Sequence, residues 1–117
     1  MTSANLQNPA IPDIKEIVNE ALEAASKATE KHIAENPGVW YPCGFSWVRI
    51  KPARGKLVTY LKEQELGRTD EFEGGYVIWN PSNNPTQWMD AKHEGSKAFA
   101  EVLKKYGFKA FAQTRID

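Results

Sequence analysis

"RTDEFEGGYVIWN", Arg68 to Asn80, is the stretch on which the fold turns. Its second half, Tyr76 to Trp79, has the aromatic and β-branched composition of a buried strand. Gly74-Gly75 supplies turn residues that tolerate positive φ. The first half is short and acidic, with Phe72 as its one apolar residue. Read as a strand over residues 69–73, it completes a hairpin and a four-stranded sheet. Read as a loop, it leaves three strands.

Upstream, "GFSWVRIK" (44–51) alternates, with Ser46, Val48 and Ile50 on one face and Phe45, Trp47, Arg49 and Lys51 on the other. Pro52 ends it. "ARGKLVTYLKEQEL" (53–66) then points Leu57, Leu61 and Val58 or Tyr60 inward and stops at Gly67. Downstream, Thr86 or Asp90 is placed to cap a helix with the stripe Trp88, Ala91, Gly95, Ala98, Phe99, Val102, Leu103 and Tyr106, which Gly107 closes. "FKAFAQTRI" (108–116) is the last strand.

All this follows a long amino-terminal helix over residues 13–36. Asp13 and Glu16 have the spacing of a capping box. Ile14, Val18, Ala21, Ala25, Ala28 and His32 form one stripe, widened by Ile17 and Leu22. "ENPG" (35–38) ends it, because Pro37 restricts Asn36 to extended geometry. The Ala-rich stripe packs either on this chain's own sheet or on another subunit. Residues 1–12, polar and proline-punctuated, read as a flexible segment. The expectation is a single α+β domain over 13–117 in strand–helix–strand–strand–helix–strand order, the split βαβ sandwich of ferredoxin-like folds. The alternative is a three-stranded α/β sheet.

Fifteen basic and fifteen acidic residues give a formal net charge of zero, which argues against a dedicated duplex-DNA binder. The single Cys43 excludes an internal disulfide and a cysteine zinc cage, and fits a reducing compartment. No apolar run is long enough to span a membrane, and the polar start is no signal peptide, so the expected location is cytoplasmic.

Two basic and amide-rich segments are the candidate ligand site. Arg49, Lys51, Arg54 and Lys56 surround the turn "RIKPARGK", where a helix amino terminus and added cations favour an anion. The spacing is not that of a Walker A loop. The loop "WNPSNNPTQW" sets Asn80, Asn83, Asn84 and Gln87 between Trp79 and Trp88, with amides to read a polar edge and indoles to stack on it. Asparagine and proline also build ordinary turns, and Trp88 also suits the first core position of the last helix. The outer sheet face, carrying Phe45, Trp47, Arg49, Lys109, Phe111 and Gln113, is too aromatic to stand bare. The amino-terminal helix, a second subunit or stacked bases would have to cover it.

"VWYPCGFSWVRIKPARGK" (39–56) and "GGYVIWNPSNNPTQWMDAKHEGSKAFAEVLKKYG" (74–107) resemble small uncharacterised proteins carried by tailed bacteriophages and prophages. The resemblance implies expression in a bacterial host and supplies no catalytic residues.

The reading is a non-catalytic, self-associating binding protein. It would hold a small anionic or nucleotide-like ligand between the two segments, without metal or cofactor. The rival is a structural or protein-interaction module with no small ligand. An enzyme using Cys43 and His93 is the third reading, although a lone cysteine beside a strand is ordinarily a small buried apolar group.

Overall fold

Asp13 starts the first helix through a reciprocal capping box. Its carboxylate accepts from the Glu16 N–H at 2.9 Å, and Glu16 accepts from the Asp13 N–H at 3.3 Å. The computed structural model describes residues 12–117. The expected flexible segment over 1–12 therefore lies, apart from Pro12, outside the described residues. The elements are α1 (Ile14–Glu35), β1 (Gly44–Lys51), α2 (Lys56–Glu63), β2 (Arg68–Thr69), β3 (Tyr76–Trp79), α3 (Met89–Lys105) and β4 (Lys109–Ile116). Among the described residues the chain is thus α+β, with three helices and a four-stranded antiparallel sheet in the order β2-β3-β1-β4.

The acidic half of the opening stretch is mostly turn rather than strand. Only Arg68 and Thr69 pair with β3, opposite Val77 and Tyr76, and Phe72 stands 99% exposed. Asp70 is the physical reason. Its Oδ1 accepts from the N–H groups of Phe72 and Glu73 at 2.9 and 3.1 Å, which bends the chain before a ladder can extend. Gly74 and Gly75, both with φ above +79°, bring it back.

Period-two alternation in β1 turns Ser46, Val48 and Ile50 toward the helices, where they are buried. Ala110 of β4 joins them, with Phe108 packed alongside. In the helix layer, α1 buries Ile17, Val18, Ala21, Ala25 and Thr29, while α3 buries Ala91, Gly95, Ser96, Phe99, Ala100 and Leu103. The buried stripe of α1 therefore passes through Thr29, where the expected one passes through Ala28 to His32, both of them half-buried.

The two long helices cross closely because the residues at the crossing are small. A Cβ added at Gly95 would meet the Thr29 hydroxyl, and would lie 3.0 Å from both the Ala25 carbonyl and the Ser82 Cβ. Thr29 Oγ1 donates to the Ala91 carbonyl at 2.8 Å, fully buried. At the other end Glu20 accepts from the Tyr106 hydroxyl at 2.7 Å and pairs with Lys105. The Ala-rich stripe, expected on this chain's own sheet or on another subunit, packs within this chain on a helix, α3, and not on the sheet. The first turn of α3 has no side-chain cap. Trp88 is its N-cap residue, and Thr86 instead accepts from the Trp88 N–H at 3.1 Å. Among the described residues no helix is long and apolar enough to cross a membrane.

Candidate functional site

The register of the sheet separates the two segments expected to share a ligand. β1 runs antiparallel to β3, so Ile50 lies opposite Tyr76 and Trp47 opposite Trp79. Lys51, Arg54 and Lys56 therefore lie at one end of the sheet, where β1 leaves it. The 80–88 loop is tied to the other end, with the Asn80 N–H donating to Ser46 O and the Gly44 N–H to Gln87 O. Five residues of strand from Ser46 to Lys51 span about 17 Å. The structure does not bring the turn and the loop together.

Within the loop the amides hold the loop itself. Asn80 Nδ2 donates to Asn84 O at 2.9 Å, and Asn80 Oδ1 accepts from Ser82 at 3.0 Å. Asn84 Oδ1 accepts from the Thr86 N–H at 2.9 Å. Asn80 and Asn83 both take positive φ, the conformation in which asparagine is favoured. Asn83 and Gln87 remain exposed. Trp88 is buried, stacked on Tyr41 at 4.7 Å with His32 edge-on at 4.6 Å. Trp79, at the start of the loop, belongs to the outer sheet face.

That outer face is where side chains converge. α1 lies among the helices, so the first of the three expected covers is absent there. Trp79 packs against Trp47 with ring centroids 4.8 Å apart and meets Phe45 edge-on at 6.0 Å. Together with Arg49, Arg68, Val77, Arg115 and the Asp70–Glu73 loop, the two indoles line an open groove of about 580 Å³. Trp79 is 42% exposed and Phe111 38%. The Arg115 guanidinium lies 5.4 Å from the Phe45 ring centre.

Arg49 holds this groove together. It is buried at 3% exposure although it faces outward. Its Nε donates to Gln113 Oε1 at 2.8 Å, and the same oxygen accepts from Trp47 Nε1 at 2.8 Å. One terminal nitrogen reaches Asp70 at 2.8 Å and also the Gly74 carbonyl, and the other reaches Glu73 at 3.3 Å. The guanidinium fork thus ties β1, β4 and the β2–β3 loop into one wall. Four of its five N–H donors are engaged and the side chain is buried, so it is a strut rather than a free anion receptor. Its hydrogen bond, with those from Glu73 and Phe72, holds the Asp70 carboxyl down at about 2.

Arg68 and Arg115 are different: among the described residues neither is in an ion pair. Sequence reading did not single them out, yet one signal for Arg115 is present. It alternates with Phe111 and Gln113 on the outward face of β4. Arg68 gave no signal, since its position depends on where the short β2 stops.

Cys43 is exposed, against expectation, and makes an isolated bridge to Trp88. The inward position belongs to its neighbour Gly44, which is buried where a Cβ would meet Met89 and the Arg115 carbonyl. Alternation then turns Cys43 outward. His93 is half-buried, and burial lowers its pKa, with Lys97 adding to the effect against Glu94 and Asp90. No hydrogen bond joins Cys43 to His93 among the described residues. Compared with protein-family models, curated proteins and solved structures, the chain finds no match in any of the three.

Proposed function

We propose that the chain is a non-catalytic binding domain that holds a planar, anionic, nucleotide-like ligand on the open face of its sheet. The observation that carries this is the Trp47–Trp79 pair, half-buried Trp47 against 42% exposed Trp79, in a groove of about 580 Å³, flanked by two arginines that are in no ion pair among the described residues. That volume lies within the range of small-molecule sites, roughly 300–1,000 Å³. An indole offers a stacking surface worth about 1–3 kcal/mol per base. Arg68 and Arg115 supply charge-assisted donors for phosphate or carboxylate. Glu71 also lines the groove, in the loop that follows Arg68, and its carboxylate would accept from an amino or hydroxyl group of the ligand. The site differs from the one expected between the basic turn and the amide loop, and it keeps only Trp79 and Arg49 of that set, Arg49 as a support.

The fold reading that accompanies this is ferredoxin-like, supported by the strand–helix–strand–strand–helix–strand order and by β1 lying between β3 and β4. The resemblance to phage-borne proteins supports the cytoplasm of a bacterial host as the setting. A protein-interaction module without a small ligand is the second reading, favoured by Phe72 standing free at the tip of the β2–β3 loop.

A thermal-shift screen of mono-, di- and cyclic nucleotides tests the proposal, because a ligand specific to the folded state raises its apparent stability. A binder should quench tryptophan fluorescence, and Trp79→Ala and Arg68→Ala should each weaken it about tenfold or more. The Arg68 effect should fade with salt. If no compound shifts the wild type, or if both variants bind as the wild type does, the ligand reading is wrong.

A further inference from the structure

β4 is an edge strand of 8 residues with no proline and no bulge in its pairing to β1. Such an edge is a template for another strand unless something blunts it. The Asp117 N–H donates to the Cys43 carbonyl at 3.1 Å, and Cys43 continues β1. Odd-numbered residues of β4 therefore direct their backbone groups at β1. The N–H and C=O groups of Ala110, Ala112, Thr114 and Ile116 face outward, and they meet no other strand among the described residues.

We propose that two copies of this chain pair antiparallel through β4, about a two-fold axis at Gln113, joining their sheets into one. The face rule limits the choice: opposite residues must share a face, so the axis passes through a residue, not between two. Centred on Ala112, the pairing sets Lys109 against Arg115, two like charges. Centred on Thr114, it leaves Lys109 with no partner on the strand. Centred on Gln113, it sets Lys109 opposite Asp117 of the partner subunit and Phe111 opposite Arg115 of the partner subunit. Outward-pointing pairs Ala110–Ile116 and Ala112–Thr114 then exchange the backbone hydrogen bonds.

Side chains within one copy already ask for this arrangement. Lys109 lies opposite Lys51 across β1, a like-charge juxtaposition that an aspartate on its other side offsets. Arg115 rests against Phe45, and Phe111 of the partner subunit would close it in from the other side. Ile116 and Phe111, 65% and 38% exposed, are the apolar side chains that the pairing covers. The inference does not rest on the ligand reading: Arg115 lines the groove, but Lys109, Thr114 and Asp117, the residues changed in the test, do not.

The test is light scattering across a dilution series, with three variants. The wild type should show twice the 13.2 kDa chain mass and dissociate on dilution. Thr114→Pro removes an outward N–H that the sheet itself does not use, and should give a monomer with unchanged far-ultraviolet circular dichroism. Lys109→Asp relieves the contact with Lys51, so it should fold, and it should raise the dimer Kd about tenfold by opposing Asp117. Lys109→Asp with Asp117→Lys should restore the wild-type Kd, which keeps the proposal open to refutation if the proline variant fails to fold. A wild type of 13.2 kDa at every concentration, a folded Thr114→Pro dimer, or a double variant as weak as Lys109→Asp would each overturn it.

Discussion

Replacing Gly95 by alanine sets two opposed effects against each other. In a helix interior alanine is favoured over glycine by about 1 kcal/mol, so an isolated α3 would gain. At this crossing the new Cβ lies 3.0 Å from the Ala25 carbonyl and 3.0 Å from the Ser82 Cβ, with the Thr29 hydroxyl nearer still. The first two neighbours are backbone and a Cβ, which cannot swing aside. The helices must separate by several tenths of an ångström. Overpacking of this kind costs about 1–3 kcal/mol, and stretching the buried Thr29–Ala91 hydrogen bond adds about 0.5–1.5 kcal/mol. Steric cost exceeds propensity, and the net expectation is a loss of about 1–3 kcal/mol. Urea unfolding followed by circular dichroism measures it, at two protein concentrations so that any association is separated from folding. Thr29→Ala removes the nearest of the three obstacles, so Gly95→Ala should cost less in that background by about 1 kcal/mol. A stabilised Gly95→Ala, or the same cost in both backgrounds, would refute the close crossing and return α1 to the alternative of pairing with another subunit.

Other outcomes follow from the same geometry. Ala25→Glu buries a charge at a fully enclosed position and should cost several kcal/mol while leaving the oligomeric state unchanged, as unfolding and light scattering would show. Cys43→Ser, at an exposed position, should change stability by less than about 0.5 kcal/mol, and the native thiol should accept an alkylating reagent without prior unfolding. The folded Asp70 carboxyl sits at about 2, below its ordinary value, so its contribution is present above the ordinary carboxylate range and is lost as pH falls through about 2. Asp70→Asn should remove that acid-side step from a stability profile. If wild type and variant lose stability in parallel there, the Arg49–Asp70 strut is not what holds the loop.

Sequence periodicity carried most of the architecture. The Asp13–Glu16 cap, the alternation along 44–51 and the outward placing of Phe45, Trp47, Phe111 and Gln113 all follow from spacing alone, and spacing is a local property. The partner of the Ala-rich stripe was not legible, because an alanine stripe fits a close crossing with any small-residue helix; Gly95 and Ala91 acquire meaning only once α3 is placed. The candidate site was less legible still. The amide loop looked like a recognition surface because asparagine both reads ligands and builds turns, and composition does not distinguish the two uses. The basic turn drew attention by its charge density. Arg49 showed the reverse problem: counted as a free cation from sequence, it is consumed by Asp70, Glu73, Gly74 and Gln113, residues 21 to 64 positions away.

The helix pairing also fixes an order of events during synthesis. Thr29 waits for Ala91, 62 residues later, and Glu20 waits for Tyr106, 86 residues later. While the chain is emerging, α1 is complete long before α3 exists, and Ile17, Val18, Ala21 and Ala25 have no docking surface of their own. The nascent domain therefore carries a sticky amphipathic helix through most of its translation, and closing so long a loop slows the final docking step. Ribosome-bound chains halted before Met89 should engage holdase chaperones through residues 14–29, and release them once α3 has cleared the exit tunnel.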